Sequence, residues 1–296
     1  MTTLSLDSKY NPGLSRFFSP GVLNDLLRKG SSSLLDELAA YAGLNEAMAQ
    51  KVTLGDLLQR VYKHLCLNYR SEYIYKNAIA NKILLGKHSL NTSFMLTEFR
   101  VDDCKADAVV INGTSNVYEI KSEFDSMERL HRQIAAYEKA FDMVHVITAP
   151  SQIEKVQQHV PMHVGIITLN ERHNISTIRE AKSRKGLIEP GVVFDSLRKE
   201  EYTAVVKEHF GFIPAVPNTQ IYKVCRELFC KLPPEAAHDG MVKALKKRGQ
   251  CKALKEFIET SPECLRAYTL NSGLKDREFL PFKELLKIQY KSLIKS

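Results

Sequence analysis

Apolar residues recur at helical spacing through residues 20–66, with leucines in NDLLRKG and SLLDELAAYAGL and then TLGDLLQRVYKHL, where Thr53 is placed to cap the helix. SEYIYKNAIANKILLGKH predicts a further helix, with Ile74, Ala78, Ile79 and Ile83 on one side and Gly86 at its end. The period then shortens. SFMLTEFRV (93–101) predicts a strand, and CKADAVVINGTSNVYEIKS (104–122) predicts two more, joined by a turn containing Asn112-Gly113. DSMERLHRQIAAYEKAFD (125–142) predicts a helix capped by Asp125, with Glu128 completing a capping box. Its packing stripe is Met127, Leu130, Ile134, Tyr137 and Phe141. MVHVITA (143–149) predicts a buried strand, SQIEKVQQHV a helix and HVGIITLN (163–170) a final strand.

The order is helix, three strands, helix, strand, helix, strand. Early strands joined by tight turns pair antiparallel; later ones return through helices, which requires right-handed crossovers and parallel pairing. This predicts an α/β fold, a mixed sheet flanked by helices. Beyond about 175 the pattern is mostly helical, in FDSLRKEEYTAVVKEHFG, NTQIYKVCRELFCKL, DGMVKALKKR, CKALKEFIET and FKELLKIQY, with IEPG and GFIPAVPN as the clearest breaks. The expected organisation is an N-terminal helical region over 1–69 packing on a core over 70–174, then a helical C-terminal region over 175–296.

Charge sharpens that division. Residues 1–170 hold 18 basic and 18 acidic residues, whereas 171–296 hold 24 and 16, so the whole net charge of +8 lies in the C-terminal part. A neutral body joined to a basic part suits a polyanionic partner, and equally a soluble basic surface. At 44% hydrophobic and 26% charged residues the composition is that of a soluble globular chain. No apolar run is long enough for a membrane span, and the N-terminus lacks the pattern of a signal peptide. Cysteines 66, 104, 225, 230, 251 and 264 form no CxxC pair, which argues for reduced thiols in a cytoplasmic protein and against a structural zinc site.

The hairpin holds the candidate chemistry. Asp107 interrupts its first strand, and Glu119 and Lys121 interrupt its second on one face. An odd-length loop centred on Gly113 sets Asp107 directly opposite Glu119; a two-residue Asn-Gly turn would oppose 107 to 118 instead. The polar length of INGTSNV favours the longer loop. Two neighbouring carboxylates repel unless positive charge lies between them. Lys121 offers one charge, and Mg²⁺ or Mn²⁺ would offer two to hard oxygen ligands. The alternative is a structural acid–lysine pair on a solvated sheet face, against which stand the apolar neighbours Val109, Val110, Ile111 and Ile120.

Asp107 followed by Glu119-Ile120-Lys121 resembles the D…ExK signature of the PD-(D/E)XK nuclease superfamily, and the element order resembles that superfamily's αβββαβ, restriction-endonuclease-like core, over about residues 70–170. The texture KADAVVINGTSNVYEIKSEFDSMERLHRQIAAYEKAFDMVHVIT is also similar to a bacterial family of restriction-endonuclease-like proteins. The resemblance implies that Asp107 and Glu119 bind metal, with the Ile120 backbone carbonyl as a further ligand, and that Lys121 serves the nucleophilic water. The superfamily often adds a glutamate from the helix before the sheet; Glu72 is the match and Glu98 the runner-up. A first-turn acid such as Glu72 also favours the helix dipole without any metal.

Arg129, Gln133 and Tyr137 are spaced four apart along one helical stripe. Gln133 and Tyr137 resemble the QxxxY motif of RecB-like nucleases, whose glutamine and tyrosine touch DNA beside the metals. Arg129 would meet a phosphate, although Tyr137 also fits the packing stripe and Gln133 a solvated one. Ser122 and Asp125 are expected to shape the strand-to-helix turn, and His131, His145 and His163 to be ordinary side chains. In 242–255, Lys243, Lys246, Lys247, Arg248, Lys252 and Lys255 occur without an acid, which suits a phosphate backbone, a solvated helical face or a protein partner. The resemblance implies an Mg²⁺-dependent DNA nuclease, leaving 5′-phosphates, in bacterial DNA repair or phage defence. The alternatives are a degenerate core that binds nucleic acid without cutting and an interaction adaptor.

Overall fold

The structure is a computed structural model that describes residues 6–44, 52–87, 92–248 and 252–290. It divides into two compact units. One comprises Leu84–Asn170 and Ile175–Gln250; the other comprises Met1–Ile83, Glu171–Asn174 and Cys251–Ser296. The stretch expected as one C-terminal region, 175–296, is thus shared between them.

The first unit is built on a six-stranded mixed sheet in chain order, β1 (Phe94–Val101), β2 (Cys104–Ile111), β3 (Ser115–Lys121), β4 (Met143–Thr148), β5 (Gly165–Leu169) and β6 (Ile175–Arg179). β1, β2 and β3 pair antiparallel, β3, β4 and β5 parallel, and β6 antiparallel to β5. The parallel pairs return through helices α1 (Leu130–Glu138) and α2 (Ile153–His159), as crossovers demand. Four helices follow, α3 (Pro190–Ser196), α4 (Lys199–Phe210), α5 (Asn218–Phe229) and α6 (Pro234–Arg248). α1 packs on β2 and β4, α2 on β4 and β5, α3 on β1 and α6 on β2. The central strands therefore read as apolar runs: Ala108, Val109, Val110 and Ile111 of β2 are all buried.

β6 was not expected, since residues beyond 175 read as helical. Its five residues are half-buried or exposed, so they leave no apolar alternation to read. A second correction concerns the start of α1. Asp125 does not cap a helix. Its Oδ2 accepts from Ser122 N (2.8 Å) and Ser122 Oγ (2.6 Å), closing the strand-to-helix turn. The helix begins at Leu130 after Arg129, which makes no side-chain cap bond, so the capping box with Glu128 does not form. Leu130, Ile134, Tyr137 and Phe141 of the predicted stripe are buried.

The second unit is helical. Its Leu54–Asn68 helix opens on a capping box between Thr53 and Asp56. The helix expected over 71–88 is α-helical over Glu72–Ala78, π-helical over Ile79–Leu84 and ends in a turn at Leu85–Lys87, its expected last residue lying outside the described residues. Asn77, fully buried, accepts from Ala267 N and donates to the Glu263 carbonyl, each at 2.9 Å, which ties this helix to the later helices of the same unit. Cys66, Cys104, Cys225, Cys230 and Cys264 are free thiols, and Cys251 lies outside the described residues. Among the described residues no helix is long and apolar enough to cross a membrane.

Candidate active site: an acidic row across three strands

The β2–β3 pairing runs Ala108↔Tyr118, Val109↔Val117, Val110↔Asn116 and Ile111↔Ser115, around the three-residue loop Asn112-Gly113-Thr114. Gly113 has φ +101°, a conformation that glycine adopts without steric cost. Continued by one residue, this register opposes Asp107 to Glu119. The β1–β2 pairing includes Thr97↔Ala108 and Phe99↔Ala106, which puts Glu98 opposite Asp107. One level of the sheet thus carries Glu98, Asp107 and Glu119 on three adjacent strands.

The backbone departs from a regular ladder along this row. Glu98 has φ +56°, in the left-handed region. The Ile120 N–H is taken by Asp107 Oδ2 at 2.7 Å, so a side chain of β2 replaces a strand carbonyl as acceptor. Carboxylate oxygens of Glu98 and Asp107 lie within 4.8 Å of each other, and Glu98 also pairs with Lys105. Oxygen donors of this kind are what hard divalent cations take, so Glu98 and Asp107 are residues of this unit whose chemistry fits one.

Glu119 is 1% exposed. Its Oε1 lies 3.0 Å from Lys121 Nζ, and its Oε2 accepts the Tyr137 hydroxyl at 2.7 Å. The same hydroxyl is 3.0 Å from the Lys105 carbonyl oxygen. Lys121 Nζ also donates to Gln133 Oε1 at 3.0 Å. Burial raises the Glu119 carboxyl above its ordinary pKa, while Lys121, Tyr137 and Gln133 pull it back down. Burial, then the Glu119 charge, raises the Tyr137 phenol. α1 therefore brings Gln133 and Tyr137 onto the β3 pair, whereas Arg129 stays exposed at its start.

Glu72 belongs to the helical unit, in the first turn of its helix, half-exposed and paired with Lys76. His145 stacks on Tyr118 with ring centroids 4.7 Å apart, and His163 pairs with Glu138. His131 is exposed. Of the basic residues on α6, Lys243 Nζ donates to Glu208 at 2.7 Å, and Arg248 Nη2 donates to Glu201 at 2.6 Å while covering the Phe99 ring. Lys246 is half-buried and Lys247 exposed. Two of the four expected phosphate contacts are therefore held by acids of α4.

The contact missed from sequence is the Tyr137–Glu119 hydrogen bond, for which helical spacing carries no signal. Glu98 was legible. Val101↔Cys104 closes β1–β2 over Asp102-Asp103, and a two-residue turn there fixes Glu98 opposite Asp107.

No solved structure matches the chain. Protein cII of Enterobacteria phage P4 is 32% identical over 84 residues, which cover 28% of this chain and 31% of that protein. A family model described as bacteriophage P4 protein cII matches residues 66–268, well over half of the chain and including the whole sheet. The chain belongs to the bacteriophage P4 protein cII family.

Proposed function

We propose that this chain hydrolyses DNA phosphodiester bonds with Mg²⁺ or Mn²⁺, on a core of the restriction-endonuclease-like type, in the cytoplasm. The observation that supports this best is the register that lines up Glu98, Asp107 and Glu119 on three neighbouring strands, with Lys121 Nζ 3.0 Å from Glu119 Oε1. The carboxylates of Glu98 and Asp107, with oxygens within 4.8 Å of each other, repel, and a bound divalent cation would supply the offsetting charge and stabilise a phosphate under attack. Glu98, the earlier alternative to Glu72, is the third acid of this reading.

The chain's own residues have distinct tasks. Asp107 is oriented by the Ile120 N–H, and Glu119 by the Tyr137 hydroxyl. Lys121, held between Glu119 and Gln133, presents its ammonium to a phosphate oxygen or to the attacking water. Arg129 and Lys247, both exposed, are the cations offered to the DNA backbone.

The test is incubation of the full chain with plasmid and linear DNA in Mg²⁺ or Mn²⁺, beside Asp107→Asn and Lys121→Ala variants shown to be folded by circular dichroism. Cutting by the wild type, abolished in both variants, is expected. Binding without cutting would replace this reading with a nucleic-acid-binding protein, and neither would replace it with an interaction adaptor.

A further inference from the structure

Two lysines of the sheet supply positive charge to the acidic row. Glu98 pairs with Lys105, and Glu119 Oε1 lies 3.0 Å from Lys121 Nζ. Their burial differs. The Lys121 side chain is 9% exposed and also donates to Gln133 Oε1, so withdrawing it would strand a buried carboxylate. The Lys105 side chain is 53% exposed and that of Glu98 36%. An exposed pair contributes little, because water screens its attraction and two long side chains lose freedom in holding it. Of the two ammonium groups, Lys105 is the one that can leave its acid at small cost.

Local structure fixes the root of that side chain and frees its tip. Lys105 stands on β2 opposite Arg100 of β1, and its carbonyl oxygen takes the Tyr137 hydroxyl at 3.0 Å. Glu98, two residues before Arg100, has φ +56°, a backbone state that residues other than glycine adopt at a cost. Its carboxylate lies within 4.8 Å of that of Asp107. Two carboxylates brought this close need an offsetting cation, and Lys105 is the one that the structure places against Glu98. Neighbouring cations are engaged elsewhere, Arg132 with Asp103 and Lys139 with Asp102.

We propose that Lys105 is the stand-in cation of the acidic row, which a divalent metal on Glu98 and Asp107 must displace. Lys105 is then a positioning residue that acts through Glu98 and sets how tightly the row takes metal. The inference rests on the metal-dependent reading above and names the competitor for its metal. A divalent ion brings two charges to oxygens that the ammonium serves with one. By linkage, the Lys105–Glu98 pair and the metal weaken each other by the same factor.

Calorimetric titration of the full chain with Mn²⁺ tests it, with circular dichroism to show that each variant is folded. Lys105→Ala is expected to bind Mn²⁺ about threefold more tightly than the wild type, in keeping with the loss of an exposed ion pair. Lys105→Arg, which can still pair with Glu98, is expected to keep the wild-type affinity. Glu98→Gln is expected to bind more weakly, and adding Lys105→Ala to it is expected to bring no gain.

A gain in the Glu98→Gln background would show a general effect of charge and overturn the proposal. So would equal tightening by Lys105→Arg, or an affinity in Lys105→Ala no higher than that of the wild type. If Asp107→Asn still abolishes Mn²⁺ binding in those cases, the metal-dependent reading stands and only the role of Lys105 falls. No Mn²⁺ binding by either the wild type or Lys105→Ala would remove that reading and this inference together.

Discussion

Tyr137, on the helix that follows β3, donates its hydroxyl hydrogen to Glu119 Oε2 across 2.7 Å. The phenol ring is fully buried and packs beside Phe141, so one residue serves both the apolar stripe and the acidic row. Tyr137→Phe keeps the ring and removes the bond. Since Glu119 is buried, the variant should lose about 1.5–3 kcal/mol of stability, the range for a hydrogen bond to a charged group. Urea unfolding measures this, and an unchanged midpoint would contradict it.

Lys121 and Glu119 form a pair whose side chains are 9% and 2% exposed. Removing the ammonium alone strands a buried carboxylate, so Lys121→Ala should destabilise by about 3–5 kcal/mol. The double variant Lys121→Met/Glu119→Gln should lose much less than the sum of its single changes, because neither partner is left charged. A double-mutant cycle by chemical denaturation gives the coupling, and simple additivity would mean that the two groups do not depend on each other.

Glu119 should give stability an unusual pH slope. Its folded pKa lies above the ordinary value of 4.5, so the folded state holds the proton more tightly than the unfolded chain. Its contribution is therefore greatest below 4.5 and declines as pH rises through the folded value. Most carboxylates do the reverse. The unfolding free energy of the wild type minus that of Glu119→Gln should fall from acid pH toward neutrality, and a difference that grows with pH would refute this.

His173 behaves in the opposite sense. Burial, with Lys82 and Arg70 nearby, lowers its imidazole from 6.5 to about 4. Its Nε2 lies 3.2 Å from the Tyr62 hydroxyl, and its φ is +57°. A base depressed on folding contributes stability that is complete above the unfolded value and is lost as pH falls through the folded one. His173→Asn, which tolerates the left-handed backbone and does not titrate, should remove the part of the acid loss between 6.5 and about 4. Thermal melts of both proteins across that interval are the measurement.

The sequence by itself determined β1 to β5, their order along the chain and, once the longer of two possible loops is taken, the opposition of Asp107 to Glu119. Strand pairing through a short loop is local arithmetic: once Gly113 takes a positive φ in a three-residue turn, each pair of partners follows from its distance to that turn. The same arithmetic over Asp102-Asp103 held Glu98 opposite Asp107. Other features depended on partners remote in the chain. Asp125 could have capped a helix or closed a turn, and the Ser122 hydroxyl and amide decided for the turn. The basic run on α6 read as free cations until α4 placed Glu208 and Glu201 against Lys243 and Arg248. Periodicity reports which face of an element is apolar, whereas the bond a polar side chain makes is set by which other element packs against it, and that is a property of tertiary structure alone.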